Sequence, residues 1–184
     1  LEFRRVLFRS HAHGLNVTYL HAPARNISIA RNACLDAATA DYLAMIDDDE
    51  TVSPGWLAAL LDCAKQSGAE AVLGPMQALY AADCPRWIRR GDYHSTRPVW
   101  VSGRILTGYT TNALIDRRSP LVAGLRFRLA FGVSGGEDTD YFTRLTRAGG
   151  RIAYAEAALS YEPVPAARAN WRWLNPIVVL RLAP

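Results

Sequence analysis

The chain has 184 residues, and half of them are hydrophobic, which is enough to bury the core of one domain. Its 21 basic and 17 acidic residues give a formal net charge of +4, without the basic run or basic-aromatic stripe typical of nucleic-acid grooves. No apolar stretch is long enough to span a bilayer, and no signal-peptide pattern is present. We therefore expect one domain that has no nucleic-acid partner.

The cysteines and the first ten residues set two further limits. Cys34, Cys63 and Cys84 form no closely spaced pair, which argues against a disulfide framework and predicts a reducing, cytoplasmic compartment. Residues 1–10 fit no periodicity and resemble a translated linker, so we predict a non-native segment there and one domain over 11–184. Without its three arginines and one glutamate, the formal charge falls from +4 to +2.

Apolar periodicity predicts strands and helices in alternation along the rest of the chain. Strands are predicted at 16–21, 42–46, 69–75, 105–115 and within 152–162, and helices at 26–40, 54–67, 135–148 and 168–180. The alternation predicts a mainly parallel sheet. The inward helical residues are predicted to be Trp56, Leu57, Leu60, Leu61, Ala64, Tyr141, Phe142 and Leu145. Residues 80–104 and 117–128 lack regular periodicity, and the former segment is predicted to be a substrate loop.

Four consecutive acids, from Asp47 to Glu50, directly follow the predicted strand 42–46. In α/β sheets, ligands bind beyond the carboxyl ends of strands. Crowded carboxylates repel one another, and a hard divalent cation with oxygen ligands relieves this repulsion, with Asp47 and Asp49 as the minimal clamp. A solvated acidic turn before the next helix explains the same residues, so both interpretations stay open at this point.

A second acidic site opens the helix that follows Gly135 and Gly136. Asp138 is the predicted general base for displacement at a carbon that bears a diphosphate leaving group. The helix N-terminus lowers the pKa of such a carboxyl, whereas neighbouring Glu137 and Asp140 raise it, and the sequence leaves the balance open. In the alternative interpretation, Glu137 and Asp138 cap the helix and Asp140 pairs with Arg144.

Four segments together resemble the family 2 glycosyltransferases in order and spacing, from about residue 15 to about residue 173. The segments are Ala30-Arg31-Asn32, Asp41 to Glu50, Pro54-Gly55-Trp56-Leu57, and Gly135 to Phe142. The resemblance implies an α/β, three-layer, Rossmann-like nucleotide-diphospho-sugar transferase fold of the A type, with a mainly parallel sheet. It also implies inverting transfer of a sugar from a nucleotide-sugar to an acceptor hydroxyl.

The same resemblance implies roles for individual residues. Asp47 and Asp49 match the Asp-x-Asp motif that binds nucleotide and Mg²⁺ or Mn²⁺, Asp138 matches the base, and Arg31 matches an arginine on the nucleotide side. The alternative for Arg31 is a helix-surface arginine.

Further positions extend the match towards the acceptor. Glu162 and Arg168 resemble the Glu-x-Val-Pro-x-x-Arg ending of members that act on bacterial polysaccharides. We place Glu137, Trp87 and Trp100 on the acceptor side. The expected partners are a nucleotide-sugar donor and a saccharide or lipid-linked saccharide acceptor, with peripheral association at the inner face of the cell membrane.

Two departures from the family pattern are visible. Ala169 stands where processive members carry the glutamine of Gln-x-x-Arg-Trp, although Arg172 and Trp173 fit, which favours a single-addition enzyme. The family's first strand, helix and second strand do not precede Leu15, so we expect an incomplete domain without its first βαβ portion and without useful activity by itself.

Two rival functions fit parts of the sequence. A haloacid dehalogenase-like phosphatase would use Asp47 as nucleophile and Asp49 as acid/base, with Lys65, the only lysine, holding the phosphorylated aspartate. A non-catalytic sugar-binding domain of the same fold would stack sugars on tryptophans. Core packing is the alternative for at least half of Trp87, Trp100, Trp171 and Trp173.

Overall fold

The structure is a computed structural model that describes residues 16–174. In chain order its elements are α1 (Ile27–Ala37), β1 (Tyr42–Ile46), β2 (Thr51–Val52), α2 (Trp56–Ser67), β3 (Ala71–Leu73), β4 (Met76–Tyr80), α3 (Arg86–Gly91), β5 (Trp100–Val101), β6 (Arg104–Ile105), β7 (Asn112–Asp116), α4 (Pro120–Ala123), a 3-10 turn (Leu129–Phe131), α5 (Glu137–Arg147), β8 (Ile152–Tyr154) and β9 (Ser160–Val164). Among the described residues, no helix has the length and apolarity needed to cross a bilayer.

The main sheet has four strands in the order β1-β7-β3-β8. Strand β7 is antiparallel to both of its neighbours, whereas β3 and β8 are parallel. Three of the four strands therefore point the same way, and β7 is reversed. The predicted alternation did not include this reversal, because β7 follows the β5–β6 hairpin and a loop rather than a helical crossover.

Helices cover both faces of this sheet, as the alternation of side chains along its strands requires. On β3, Leu73 packs into a cluster with Leu35 of α1 and Phe142 of α5. The intervening residue, Val72, packs on the opposite face against Leu60 of α2. The domain thus has three layers, with the sheet in the middle, as predicted.

A second sheet has three strands in the order β2-β9-β4. Strand β9 is antiparallel to β2 and parallel to β4. The four acids from Asp47 to Glu50 form the link between β1 in the main sheet and β2 in the second sheet. The amide of Glu50 donates a hydrogen bond to the carbonyl of Asp47 at 3.2 Å, which closes this link as a turn.

Several predicted elements differ from the structure. Residues 16–21 form no strand, since they pair with no other strand in the described part of the chain. The predicted strand 105–115 divides into β6 and β7, with a loop between them. Leu57, predicted to face inward, is exposed on α2, whereas Leu60 and Ala64 are buried.

The segments without periodicity contain short elements. Residues 80–104 include α3 and β5, and residues 117–128 include α4, which Ser119 caps by accepting a hydrogen bond from the amide of Leu121. Of the predicted helix 168–180, residues 171–174 are helical and the part beyond 174 lies outside the described residues. Tyr141, Phe142 and Leu145 of α5 are fully buried, as predicted.

Asn112, at the start of β7, joins three segments around the end of β3. Its buried amide nitrogen donates hydrogen bonds to the carbonyls of Pro75, at 2.9 Å, and Ala158, at 2.7 Å. Its amide oxygen accepts a hydrogen bond from the indole nitrogen of Trp56 at 2.9 Å. Because every polar atom of this buried amide is satisfied, the junction between the two sheets is held in one arrangement.

We predict that Gly74→Ala destabilises the domain, because a methyl group at position 74 overlaps the carbonyl oxygen of Ala158 and lies 2.6 Å from the amide nitrogen of Asn112. Overpacking of this kind costs about 2 to 3 kcal/mol, which lowers Tm by about 4 to 12 °C in a chain of this size. The control is Gly124→Ala, where nothing lies within 4 Å of the added methyl group. Equal melting temperatures for the two variants would contradict the prediction.

Candidate functional site

The Asp-x-Asp pair lies in the link between the two sheets, where both carboxylates reach solvent. The side chain of Asp47 is 48% exposed, and Asp49 is also exposed. Partial burial raises the pKa of Asp47, Arg31 lowers it, and the carboxylates of Asp49, Asp48 and Asp138 raise it again. The acids of the two predicted sites therefore act on each other electrostatically.

Arg31 of α1 is the cation between the two acidic sites. Its side chain is 13% exposed, so it is not the surface arginine of the alternative interpretation. One guanidinium nitrogen forms an ion pair with Glu137, and the other lies 3.9 Å from a carboxylate oxygen of Asp47. The guanidinium also lies over the ring of Phe127, 5.8 Å from its centroid. One side chain thus links the Asp-x-Asp loop to the start of α5.

Asp138 lies at the first turn of α5, half-buried. Burial raises its pKa, the backbone amide of Thr139 lowers it, Glu137 raises it, and Arg31 lowers it. The balance that the sequence left open therefore favours a raised pKa, since burial exceeds the effect of the helix N-terminus. A carboxylate with a raised pKa is a stronger base.

The alternative roles of the neighbouring acids are tested by the same geometry. Gly136, with a φ of 89°, is the N-cap residue of α5, and no side chain caps the helix. Asp140 pairs with Arg144 at 2.8 Å, as the alternative interpretation expects, and also with Arg128 at 3.2 Å. The side chain of Glu137 is 8% exposed and is held by Arg31, so this carboxylate lies below the protein surface.

Two further carboxyl groups join the site. Burial raises the pKa of Glu50 to about 7, although the nearby hydroxyls of Thr111 and Ser160 lower it. The Thr111 hydroxyl donates a hydrogen bond to one carboxylate oxygen of Glu50, and the other oxygen is buried without a hydrogen bond of good geometry. From the sequence, Glu50 is only the last of four consecutive acids. Its distinctive partner, Thr111, is 61 positions away and gives no local signal.

Glu162 is the second of these groups. Burial raises its pKa, Asp49 raises it further, Arg168 lowers it, and Asp47 raises it. Arg168 pairs with Glu162 at 2.9 Å. The segment that resembled the ending of polysaccharide-acting members therefore returns to the Asp-x-Asp loop.

The Asp-x-Asp pair has the oxygen donors of a divalent-cation site in which substrate phosphates supply the other ligands. Within residues 16–174, no three histidine, cysteine or carboxylate side chains cluster closely enough to form a complete protein cage. Mg²⁺ is commonly held by one or two carboxylates together with substrate phosphates and water, and Asp47 and Asp49 supply this number. Burial is the largest cause of the raised pKa of Asp47, and the carboxylates of Asp49, Asp48 and Asp138 raise it further, which is negative charge that a cation would neutralise.

The tryptophans lie on the surface. Trp87 and Trp100 are 43% and 55% exposed, and Trp171 and Trp173 are also exposed, so the expectation of core packing for at least half of them is wrong. Their proposed contact with an acceptor stays a prediction.

Lys65 lies away from the Asp-x-Asp loop. It is exposed in the last turn of α2, next to the start of β3, whereas Asp47 follows the end of β1. Strands β1 and β3 point the same way, so Lys65 lies at the amino ends of these strands and Asp47 at their carboxyl ends. This placement does not support the phosphatase hypothesis, which requires a lysine beside the nucleophile.

Comparison with known proteins identifies the family. The model described as glycosyl transferase family 2 matches residues 4–120. The chain belongs to this family. The resemblance stated above is therefore confirmed, and the chain is a glycosyltransferase by family. The match begins inside residues 1–10, so the proposed linker boundary stays a prediction.

One relative is close in sequence. The chain is 55% identical over 159 residues to the succinoglycan biosynthesis protein ExoM of Rhizobium meliloti (strain 1021), covering 86% of this chain and 52% of the relative. The chain thus spans about half the length of the curated relative it matches.

Solved structures share the fold. GalNAc-T7 with UDP, GalNAc and Mn²⁺ is 13% identical with a TM-score of 0.64, covering 88% of this chain and 35% of that one. S. aureus TarS 1-349 is 16% identical with a TM-score of 0.63, covering 97% and 52%. TarS 1-349 in complex with UDP-GlcNAc is 14% identical with a TM-score of 0.60, covering 90% and 47%. These likenesses confirm the A-type glycosyltransferase fold.

We predict that Arg31→Met destabilises the domain by about 3 to 5 kcal/mol, because it leaves the buried carboxylate of Glu137 without its cation. The double variant Arg31→Met/Glu137→Met should regain most of this loss, since both charges are then removed. Urea unfolding measures all three. The control is Arg126→Met, whose exposed pair with Asp36 contributes about 0 to 1 kcal/mol. The interpretation fails if Arg31→Met costs no more than this control.

Proposed function

We propose that this chain carries the catalytic residues of an inverting, metal-dependent glycosyltransferase that moves a sugar from a nucleotide-sugar to an acceptor hydroxyl. The observation that carries the proposal is the ion pair of Arg31 with Glu137 and its contact with Asp47, which bring the Asp-x-Asp loop and the start of α5 together. Displacement at the anomeric carbon needs both acidic motifs close to that carbon. The Asp-x-Asp motif would serve to neutralise the leaving group, and the acid at the start of α5 would remove a proton from the acceptor.

The residues divide the reaction between them. Asp138 accepts the proton of the acceptor hydroxyl, whose oxygen then forms a bond to the anomeric carbon. The bond from that carbon to the diphosphate breaks on the opposite face, which inverts the configuration. Asp47 and Asp49 would hold Mg²⁺ or Mn²⁺, and the ion neutralises the diphosphate when it is bound. Arg31 keeps Glu137 in place and so fixes the position of Asp138 beside it.

The relatives support the class of substrate. The matched protein of Rhizobium meliloti is a succinoglycan biosynthesis protein, and solved structures of the same fold hold UDP, UDP-GlcNAc or Mn²⁺. We place the proposed transfer in bacterial surface polysaccharide or glycoconjugate synthesis, with a saccharide or lipid-linked saccharide as acceptor. The proposed location is cytoplasmic, at the inner face of the cell membrane. Uridine diphosphate sugars are the first donors to assay.

We predict that Asp49→Ala removes the Mn²⁺-dependent part of nucleoside diphosphate binding, because one of the two carboxylates of the clamp is lost. Isothermal calorimetry with and without Mn²⁺ measures this part. The protein for this assay is a version of the chain extended to the full length of the relative, of which the chain covers 52%. Asp62→Ala, an exposed change on α2, is the control. Unchanged Mn²⁺-dependent binding in Asp49→Ala would refute the assignment.

We also predict that Asp138→Asn leaves donor binding intact and lowers the transfer rate by about 10²- to 10⁴-fold, which is the usual effect of losing a general base. Release of nucleoside diphosphate in the presence of saccharide acceptors gives the rate, and calorimetry gives the binding. Glu156→Gln, an exposed change after β8, should alter neither. Transfer at the wild-type rate in Asp138→Asn would exclude Asp138 as the base. Donor binding without any transfer by the wild type would instead favour a non-catalytic sugar-binding domain.

A further inference from the structure

Two segments that are distant in sequence form one exposed surface of rings and arginines. Trp87 is 43% exposed, Tyr93 is 37% exposed and Trp171 is 59% exposed. The ring of Trp87 lies 6.1 Å from that of Tyr93 and 6.1 Å from that of Trp171, so the three rings are contiguous. We call the following set the aromatic-arginine surface: Arg86, Trp87, Arg90, Tyr93, Trp171 and Arg172.

A small core holds this surface rigid. Ile88 of α3 and Leu174 are fully buried, and they pack together with Cys84. Tyr80 and Ala169 pack against the same cluster from its edge. The two segments that carry the rings are therefore fixed to each other, and a partner that binds them loses little conformational freedom in the protein.

The arginines of this surface point away from that core and are free of ion pairs with described residues. Ile88 is the buried residue of α3, and Arg86 and Arg90 lie two residues before and after it, which is about 200° around the helix. No hydrogen bond or ion pair joins the guanidinium of Arg86, Arg90 or Arg172 to another described side chain. Asp83 and Asp92, before and after α3, are the acids nearest in the chain.

We propose that the aromatic-arginine surface docks the protein on a lipid bilayer that contains anionic headgroups. Tryptophan and tyrosine have an apolar body and a polar tip, which suits the boundary between headgroups and acyl chains. Unpaired arginines beside them complement the negative charge of anionic lipids. The inference deepens the proposed function, on which it rests only for the identity of the acceptor, since a lipid-linked acceptor is found at a membrane.

The surface is connected to the candidate site by short contacts. Trp173 stacks on His94, with ring centroids 5.0 Å apart. The Nε2 atom of His94 lies 3.2 Å from the carbonyl oxygen of Arg168. Arg168 in turn pairs with Glu162, whose charge acts on Asp49. A membrane at the aromatic-arginine surface would therefore lie on the Glu162 side of the cleft, away from Arg31.

Single-stranded nucleic acid is the principal rival occupant, because it also binds aromatic rings and arginines. Its phosphate chain needs a continuous positive groove, whereas Asp83 and Asp92 flank α3 at both ends. A bilayer contacts only the outward side of the helix, where Arg86 and Arg90 lie. The distribution of charge therefore favours the bilayer.

Sedimentation with vesicles tests the proposal on the chain as it stands. Vesicles of phosphatidylcholine with 30% phosphatidylglycerol should bind the wild-type chain, and pure phosphatidylcholine should bind it much more weakly. Arg86→Gln/Arg90→Gln should weaken binding by about 25-fold, or about fivefold for each arginine. Trp171→Ser should also weaken it, and brominated lipid should quench tryptophan fluorescence in the wild type.

The matched control is Arg25→Gln/Arg147→Gln, which removes the same charge from exposed positions elsewhere and should retain wild-type binding. Equal losses in the two double variants would overturn the proposal, because net charge alone would then explain binding. Absence of binding in the wild type would overturn it as well, and so would tighter binding to a single-stranded oligonucleotide than to the vesicles.

The two proposals fail separately. Vesicle binding with no Mn²⁺-dependent nucleotide binding in the extended protein would refute the proposed function and retain the docking surface. Nucleotide binding and transfer without any vesicle binding would refute the docking surface and retain the transferase.

Discussion

The arrangement of the site depends on one partly buried cation. Arg31 lies between Asp47 and Glu137, and both acidic motifs contain further carboxylates that repel one another. Without a cation, burial would drive these groups to take up protons or move apart. With Arg31 in place, Glu137 is held below the surface by an ion pair, and Asp138 stays beside the Asp-x-Asp loop. The ion pair therefore sets the geometry, while the outer acids are left for substrate and metal.

The scaffold limits how far this geometry can change. The Asp-x-Asp loop is a short link between two sheets, and Asn112 ties the ends of those sheets together through three hydrogen bonds. The start of α5 is set by Gly135 and Gly136, whose φ angles of 86° and 89° are strained for other residues. Both acidic motifs are thus attached to segments with few alternative conformations, which is what preorganised catalysis requires.

Local patterns predicted much of this molecule, and long-range contacts account for the rest. The run 42–46, the inward face of α5 and the pair of Asp140 with Arg144 follow from periodicity and spacing within one element. The reversal of β7, the partner of Glu50 and the partial burial of Arg31 depend on residues 61 to 106 positions apart. No periodic signal records such contacts. The order of the motifs predicted the site residues through the resemblance to a family, and it gave no information about their distances.

The exposed tryptophans show why composition alone did not predict the aromatic-arginine surface. Trp87 and Trp171 are separated by 84 positions, and each segment combines its rings with arginines over only a few residues. They meet because Ile88 and Leu174 share a buried cluster, which leaves the rings and guanidinium groups on the outside. Three exposed rings forgo the free energy that burying them against this core would provide. Such exposure is stable when a partner removes the rings from water, and arginines beside them select a partner with negative charge.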